Sequence, residues 1–493
     1  MKTFWGLPFP YVVPVVFVVF IKRLLKMRWA FLSSVILVAG LSPLSAVGAH
    51  GAEGSWKAGT AKAVITPKTP MWMAGYASRT RPGDGTLHEL YIRVLALEEA
   101  QGKRAVVLSS DLLGIPRSIS DHVSAALREK FGLSRGQIML NASHTHSGPV
   151  LRGALYDAYP LDEVEKQRIN AYSDELEATI VHTVGEALRK MVPATLARGE
   201  GSTDFAVNRR NNREADVPAL RAQHALRGPS DHSVPVLAVR TPEGKLLAVV
   251  FCYACHNTTL SIQQWNGDYA GFAETNLEAA HPGAVALFCM GCGADQNPIP
   301  RRTVELCRKY GRMMSDAVEA VLARPLDSLS PSLRTEYETV PLKLGSEPTR
   351  EELQSLVAGR STPVYIRRWA TRLLKEINER KPLARSYPYP VEVWQLGGKQ
   401  LWIALGGEVV VDYDLRFKER YGADAWVTSY SNDVMAYIPS RRVLHEDMVR
   451  TGGYEGNTSM MIYGMPAQRW SETIEETIAT AVDRLVQRVE SAK

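Results

Sequence analysis

The sequence predicts an α/β fold: a layered mixed sheet with helices on both faces, built as a single large domain. Short, nearly continuous apolar runs recur along the 493-residue chain, and segments of helical composition separate them. No low-complexity linker or fixed-period repeat interrupts the sequence after Ala49. Apolar strands that alternate with helices are typical of sheets covered on both faces. A hydrophobic fraction of 45% excludes a disordered or fibrous class.

The predicted elements follow one another along the chain. Strands are predicted at residues 105–113, 138–143, 246–254 and 284–289. Helices are predicted at residues 118–132, 162–191, 273–281 and 470–490. A charged, helix-like segment at 349–382 is expected to be an insertion or a lid. We expect residues 50–493 to form one domain.

Residues 1–49 have the composition of an export signal. A basic cluster precedes the apolar run AFLSSVILVAGL and the small-residue stretch SAVGA. This unit begins most naturally at Met27, which we expect to be the true start. The protein is therefore expected to be secreted or periplasmic, or membrane-anchored if the signal is uncleaved. The segment carries five basic residues and no acid, so the net charge falls from +6 to about +1 without it. No nucleic-acid partner is indicated.

Two histidines follow the second predicted strand, in the stretch SHTHSGP. His144 and His146 are two residues apart, so both rings can point to the same face of an extended chain. Imidazole nitrogens are common zinc ligands. The same pattern also fits a polar strand end whose histidines only form hydrogen bonds, and the motif alone does not decide between the two.

A cysteine-rich segment, FCYACHNTT, ends the third predicted strand. Cys252, Cys255 and His256 match the attachment pattern of c-type haem, which makes a covalent haem electron-transfer protein one alternative. Cys289 and Cys292 form a second pair, so a four-thiolate metal site is another. Against both, Cys252 and Cys289 end buried-looking strands, where cysteine often serves as a small apolar residue. An α/β pattern also lacks the helical pocket that encloses a haem.

Two later segments carry further polar residues. Glu408 follows the run QLWIAL and two glycines, where a carboxylate can bind a metal, act as a base or simply be solvated. Tyrosines occur in YSNDVMAYIPS, residues 430–440, and in GYEG, residues 453–456. By composition alone these tyrosines are packing residues.

Taken together and in order, these segments resemble the neutral/alkaline non-lysosomal ceramidase family, in its catalytic N-terminal domain. The co-occurrence of several ordered segments is more specific than any one of them. The similar segments are GTAKAVITP (59–67), MAGYA (73–77), ASHTHSGP (142–149), CHNTT (255–259), GE (407–408) and AYIPS (436–440).

The resemblance implies one Zn²⁺ per chain. Its implied ligands are His144, His256, Glu408 and Tyr437. It also accounts for the haem-like motif, because the family has a histidine at the position of His256 in any case.

The resemblance also implies the residues of the reaction centre. His146 and Tyr454 would line it, and Arg209 would face the scissile group. The family places a serine in a Gly-Asp-x-Ser-Pro-Asn segment, where this chain has GADQNP with Gln296. An amide side chain is not a nucleophile, so we expect Gln296 and Asn297 to bind the substrate or the attacking water, and Asp295 to orient either.

The predicted protein is thus a zinc-dependent hydrolase, an amidase that cleaves an N-acyl substrate by a metal-activated water. The partner would be a small-molecule or lipid-like N-acyl compound, with transient contact to a membrane surface. The missing serine and the family's C-terminal immunoglobulin-like domain, which this sequence is not expected to contain, weaken the case for ceramide itself. The alternatives are an ester, lactone or phosphoester substrate, the haem protein at Cys252, Cys255 and His256, and a zinc-containing binding protein without turnover.

Overall fold

The computed structural model describes residues 55–449 and 453–491, and every structural statement below refers to these residues. They lie in one compact unit, residues 52–493. The expected export signal, residues 1–49, lies outside the described residues. Within the described part, no helix is both long and apolar enough to span a bilayer.

Strands and helices alternate over most of the described chain. The strands are β1 (Trp56–Val64), β2 (Tyr91–Glu98), β3 (Arg104–Ser110), β4 (Ile138–Ala142), β5 (Val192–Ser202), β6 (Ala206–Asn208), β7 (Ser233–Arg240), β8 (Leu246–Tyr253), β9 (Val285–Met290), β10 (Gln296–Pro298), β11 (Asp327–Leu329), β12 (Leu333–Lys343), β13 (Ser386–Leu396), β14 (Gln400–Leu405), β15 (Glu408–Val409), β16 (Trp426–Thr428) and β17 (Tyr437–Ile438). The helices are α1 (Arg117–Phe131), α2 (Glu163–Arg189), α3 (Val217–Ala222), α4 (Asp268–Ala280), α5 (Val304–Leu322), α6 (Arg350–Ala358), α7 (Val364–Asn378), α8 (Asp412–Tyr421), α9 (Arg441–Val449), α10 (Ser459–Ile462) and α11 (Ile474–Ser491).

Two sheets organise the fold. The larger has nine strands in the order β4-β3-β2-β1-β5-β7-β8-β9, with β11 paired to β5. It is mixed, because β3 and β4 are parallel, as are β8 and β9, while the other pairs are antiparallel. The second sheet has the order β12-β13-β14-β16. Two short pairs, β6 with β10 and β15 with β17, lie outside both sheets.

Side-chain alternation along the strands produces the layers. In β8, Phe251 faces the core shared with helices α4 and α5, whereas Val250 and Cys252 face the second sheet. The core between the sheets includes Trp394 and Trp402, whose ring centroids are 5.9 Å apart. Helices α8 and α11 cover the outer face of the second sheet. The predicted mixed α/β class is confirmed, with the helices on the two outer faces and two sheets, rather than one, between them.

The helix-like segment 349–382 forms α6 and α7. Thr349 caps α6 in a reciprocal box with Glu352, which satisfies backbone donors at the helix start. The two helices pack together around Leu353, Trp369 and Leu373. The indole of Trp369 donates to the Met465 carbonyl at 2.6 Å, which fixes this helical pair to the segment after α10.

The nine-stranded sheet curls until its two edges meet. The Ser109 hydroxyl in β3 donates to the Phe288 carbonyl in β9. The Met290 amide in β9 donates to the Asn141 side-chain oxygen in β4 at 2.9 Å. The carboxyl ends of β4 and β8 therefore come together, although these strands are far apart in the strand order.

Candidate metal centre

Three buried histidines meet where the curled sheet brings β4 and β8 together. His144 and His146 follow β4, and His256 follows β8. The Nε2 atom of His144 is 3.1 Å from that of His146 and 3.2 Å from that of His256. Their ring nitrogens could hold a metal ion. His144 has a φ angle of 60°, a conformation that non-glycine residues rarely adopt and that recurs at functional sites.

A carboxylate and a phenol complete the cluster. Parallel pairing of β15 with β17 places Glu408 opposite Tyr437. Glu408 Oε2 is 3.0 Å from His144 Nε2 and 3.3 Å from His256 Nε2. Tyr437 Oη is 3.2 Å from His256 Nε2. The structure thus brings all four sequence-predicted ligands together, and it adds His146 at a similar distance.

The spacing of these donor atoms suits a tetrahedral ion. Ligands at about 2.0–2.1 Å from zinc are separated from one another by about 3.3 Å in a tetrahedron. The triangle formed by His144, His256 and Glu408 has edges of 3.0, 3.2 and 3.3 Å. Two histidines and one carboxylate form a ligand set of catalytic zinc, and the Tyr437 phenol lies beside them as a fourth candidate ligand. The residues present therefore fit such an ion.

Backbone carbonyls orient the histidine rings. His144 Nδ1 donates to the Leu113 carbonyl at 2.7 Å, and His256 Nδ1 donates to the Gly293 carbonyl at 2.9 Å. Because a carbonyl oxygen can only accept a hydrogen bond, each Nδ1 carries the ring proton. Each Nε2 therefore keeps a lone pair that can bind a metal ion. Burial, together with the nearby Arg209 charge, lowers the pKa of His256 to about 3, so this ring is neutral at physiological pH.

Two tyrosine hydroxyls form hydrogen bonds to the Glu408 carboxylate. The Tyr463 hydroxyl donates to Glu408 Oε1, and the Tyr430 hydroxyl donates to Oε2 at 3.4 Å. Sequence reasoning treated Tyr430 as a packing residue and did not single out Tyr463. Neither belongs to a local pattern that distinguishes it from an ordinary core tyrosine.

A cavity of about 430 Å³ lies beside the cluster, and Tyr76, His146, Arg209, Tyr437 and Tyr454 are among the residues that line it. The Arg209 guanidinium is 3.1 Å from Tyr437 Oη. The ring centroids of Tyr437 and Tyr454 are 5.2 Å apart. The three cavity-lining residues named from the sequence, His146, Arg209 and Tyr454, thus lie beside the candidate ligands.

Comparison with known proteins shows which family the chain resembles. Residues 56–294 match the family model described as neutral/alkaline non-lysosomal ceramidase, N-terminal. The chain is similar to that N-terminal domain over these residues. The predicted resemblance to the ceramidases is confirmed.

Curated ceramidase relatives match at moderate identity. Neutral ceramidase of Pseudomonas aeruginosa is 26% identical over 257 residues, which cover 49% of this chain and 37% of that protein. Neutral ceramidase B of Dictyostelium discoideum is 25% identical over 213 residues, which cover 41% of this chain and 28% of that protein. The matched part of the chain therefore spans about a third of the length of these relatives.

Solved ceramidase structures share the fold. The crystal structure of neutral ceramidase from Pseudomonas aeruginosa superposes with a TM-score of 0.63 at 20% identity, covering 88% of this chain and 75% of that one. A structure described as a ceramidase complexed with C2 gives the same TM-score at 18% identity, covering 88% and 76%.

The position that resembles the ceramidase serine does not face the cavity. The Gln296 side chain donates to the Ala254 carbonyl and is fully buried. Among the described residues that line the cavity, Asn297 is present and Gln296 is not. Asn297 Oδ1 accepts from the Arg209 guanidinium at 3.2 Å. Of the two side chains expected to bind the substrate, Asn297 therefore lines the cavity and Gln296 does not, because alternate residues of an extended segment face opposite sides.

The hydrogen bonds of Asp295 hold neighbouring segments of the backbone in place. Its carboxylate accepts from the Asn208 amide at 3.0 Å and from the Val411 backbone amide at 2.9 Å. Its carbonyl accepts from the Arg209 amide at 2.8 Å. Burial raises the pKa of Asp295 to about 6. Asp295 is absent from the described cavity lining, so it acts on the segment that carries Arg209.

The cysteines of this ceramidase relative are free thiols within the packed interior. Cys252 faces the core between the sheets, whereas Cys255 packs in the core under α4 and α5. A haem bound through two thioethers needs both sulfurs in one pocket, so this placement excludes the haem alternative. Cys292 lies in a third core, which also excludes a site made from both cysteine pairs.

Proposed function

We propose that this protein is a zinc-dependent amidase that cleaves N-acyl substrates. The observation that carries the proposal is the buried triangle of His144, His256 and Glu408, with edges of 3.0–3.3 Å, next to a cavity that contains a positioned arginine. The names of the relatives make ceramide, itself an N-acyl compound, the first substrate to test.

The proposed ligands are His144, His256, Glu408 and Tyr437. When bound, zinc supplies Lewis-acid activation of water and polarises a carbonyl oxygen. His146, 3.1 Å from His144, lies at the border between the ligand cluster and the cavity.

Arg209 is proposed to stabilise the negative charge that develops on the amide oxygen. Glu455 accepts from its Nε at 3.0 Å and Asn297 from its Nη1 at 3.2 Å, so the guanidinium is held before substrate arrives. Burial lowers the pKa of Arg209, but Tyr437, Glu455 and Tyr454 outweigh it and hold the pKa well above its usual value, so the guanidinium stays charged. Removing one such preorganised donor commonly costs about 3 kcal/mol of transition-state stabilisation.

A proton donor for the leaving nitrogen is also present. Tyr454 and His146 both line the cavity. Burial raises the pKa of Tyr454 well above that of a free tyrosine, so its hydroxyl keeps the proton at neutral pH. We assign the proton-transfer role to these two side chains.

The location and organisation of the protein belong to the same proposal. Residues 50–493 would form one catalytic domain, exported by the signal at residues 1–49. The composition of the signal supports export. The compact unit at residues 52–493 supports a single domain.

The test is metal content and turnover in the protein purified without added metal. We expect about one zinc per chain and hydrolysis of amides from a panel that includes ceramide. His256→Ala should lose the zinc and about a hundredfold or more of the activity, since it removes a ligand. His281→Ala is the matched control, because its ring pairs with Glu319 away from the centre, and it should keep both.

Two results would contradict the proposal. Protein without metal, which takes up none on titration, would remove the basis of the mechanism. Stoichiometric zinc without turnover of any amide would instead indicate a zinc-containing binding protein, an alternative favoured by glutamine at the family's serine position.

A further inference from the structure

Arg79 is a buried arginine next to the candidate metal centre, and its charge has no acidic partner. The residue is 8% exposed, and among the described residues no carboxylate forms an ion pair with it. Burial lowers the pKa of Arg79, but an arginine in a protein stays protonated. A buried charge without a counter-ion costs free energy. Packing alone does not require this charge, which indicates that the guanidinium has a further role.

The guanidinium joins the two loops that carry the histidines. Its Nη2 donates to the His146 carbonyl at 2.8 Å. Its Nη1 donates to the Ile262 carbonyl at 3.0 Å and to the Gln263 side-chain oxygen. His146 follows β4, whereas Ile262 and Gln263 lie in the loop between His256 and α4. Because charge-assisted hydrogen bonds are stronger than neutral ones, Arg79 ties the backbone of His146 firmly to the second loop.

Arg79 also contacts the tyrosine that packs on His146. The central carbon of its guanidinium is 5.3 Å from the centroid of the Tyr76 ring. The Tyr76 ring meets the His146 imidazole edge to face, with ring centroids 4.6 Å apart. The Tyr76 hydroxyl donates to the Leu260 carbonyl at 2.9 Å, which fixes the tyrosine ring. Arg79 therefore acts on His146 both through its backbone and through the ring beside it.

The His146 ring has less support of its own than the other two histidines of the cluster. The Nδ1 atoms of His144 and His256 each donate to a backbone carbonyl. The Nδ1 atom of His146 is buried, and no polar group of the described residues forms a hydrogen bond with it. The orientation of this ring therefore depends on its backbone and on the groups packed around it.

We infer that Arg79 is a positioning residue that holds the His146 ring in place. The inference rests on the proposed amidase function, in which His146 and Tyr454 carry out the proton transfer. Arg79 is not among the described residues that line the cavity, so it acts through His146 and not on the substrate. Groups that orient the side chains of a metal centre from outside typically contribute about 10–100-fold to activity.

Arg79→Ala should lower kcat without changing KM. We expect kcat for amide hydrolysis to fall about 10–100-fold and KM to change less than about twofold, because the substrate contacts remain. Arg79→Lys keeps the charge but loses the planar fork of donors, so its kcat should lie between that of Arg79→Ala and that of the unaltered protein. Arg81→Ala is the matched control, because Arg81 lies on the same loop and pairs with Asp84 at the surface. It should behave like the unaltered protein.

A double-mutant cycle distinguishes positioning of His146 from a general effect on the fold. In a His146→Ala background, Arg79→Ala should change kcat less than about twofold, because the group that it positions is absent. A further loss of about tenfold or more in that background would show that Arg79 acts elsewhere, and would overturn the inference. If Arg79→Ala does not fold, Arg79→Lys takes its place in the cycle.

Nuclear magnetic resonance of the histidine-labelled protein gives a readout that does not need turnover. His146→Ala identifies the ring signals of His146. We expect Arg79→Ala to shift these signals, whereas Arg81→Ala should leave them unchanged, and neither variant should move the signals of His281, which pairs with Glu319 away from the centre.

The outcomes of this measurement separate the two proposals. If the protein binds zinc and cleaves no amide, the amidase proposal fails and the histidine signals decide the inference. His146 signals that Arg79→Ala shifts would then support positioning by Arg79. Signals that stay unchanged in Arg79→Ala would overturn it, whether or not amides are cleaved.

Discussion

Single residues determine how closely the backbone approaches the metal centre. Gly75 has a φ angle of +102°, and a Cβ atom at this position would lie 2.4 Å from Cγ of His146. The Tyr76 ring contacts the same imidazole in an edge-to-face arrangement, with ring centroids 4.6 Å apart. His146 is therefore confined between the Gly75 backbone and the neighbouring tyrosine.

Gly75→Ala should displace His146 and lower activity. We expect kcat/KM to fall about a hundredfold, because a shift of about 1 Å in a catalytic group has effects of this size. Gly102→Ala is the matched control, since Gly102 also has a positive φ but has open space where its Cβ would be. Both variants should lose about 1–3 kcal/mol of stability from backbone strain. Equal activity of the two would contradict confinement of His146.

The sequence predicted the chemistry of individual residues better than their orientation. His144, His146, His256 and Glu408 follow strands, and strand ends could be recognised from the apolar runs before them. The side to which Gln296 points could not be recognised from the sequence, because it depends on the register of the short β6–β10 pair. That pairing joins segments about ninety residues apart, which no local pattern encodes.

At the scale of elements, one loop links the second sheet to the metal centre. The Gly407 amide donates to the Asp433 carbonyl at 2.7 Å, just before Glu408. The Asp433 carboxylate accepts from the Tyr387 hydroxyl in β13 at 2.6 Å. This loop then leads into β17, which carries Tyr437 opposite Glu408. The position of Glu408 and Tyr437, two of the proposed ligands, therefore depends on how this loop packs.

The buried Asp433 should make stability depend on pH. Burial raises the pKa of Asp433 to about 7, whereas an unfolded aspartate titrates near 3.9. Between these values the folded state holds a proton that the unfolded state has lost. The free energy of unfolding should therefore fall as pH rises from about 4 to about 7, by up to about 1.4 kcal/mol per pH unit, and level off above.

Asp433→Asn should remove that contribution, because asparagine resembles the protonated acid. Urea unfolding at pH 5 and at pH 8.5 measures it, and the variant should gain stability relative to the unaltered protein at the higher pH. Asp316→Asn, at an exposed position of α5, controls for loss of an acidic group. Parallel pH curves for the unaltered protein and Asp433→Asn would show that Asp433 is ionised throughout.

At the scale of the whole molecule, the core between the two sheets joins the two groups of proposed ligands. The histidines come from the nine-stranded sheet, whereas Glu408 and Tyr437 follow the second sheet. Trp402 lies at the centre of this core, fully buried, with its indole donating to Thr428 at 3.1 Å. The relative position of the sheets therefore sets the geometry of the candidate metal centre.

Trp402→Ala should weaken the fold and the metal centre together. We expect a loss of about 3–5 kcal/mol in the free energy of unfolding, as for other large-to-small core changes. Circular dichroism and zinc release during urea unfolding should report one coincident transition if residues 50–493 form one domain. Val164→Ala, at an exposed position of α2, should change stability by less than about 0.5 kcal/mol. Separate transitions would contradict a single domain.

The sequence by itself determined the α/β class, the approximate limits of the main elements and the residues able to bind a metal. These depend on local hydrophobic periodicity and on side-chain chemistry, which can be read from neighbouring positions. Only the tertiary structure decided that the sheet curls to join His144 with His256, that a second sheet supplies Glu408 and Tyr437, and that the cavity wall is rich in arginine. Those features arise from packing between segments distant in sequence, whose free energy depends on the whole fold rather than on any local stretch.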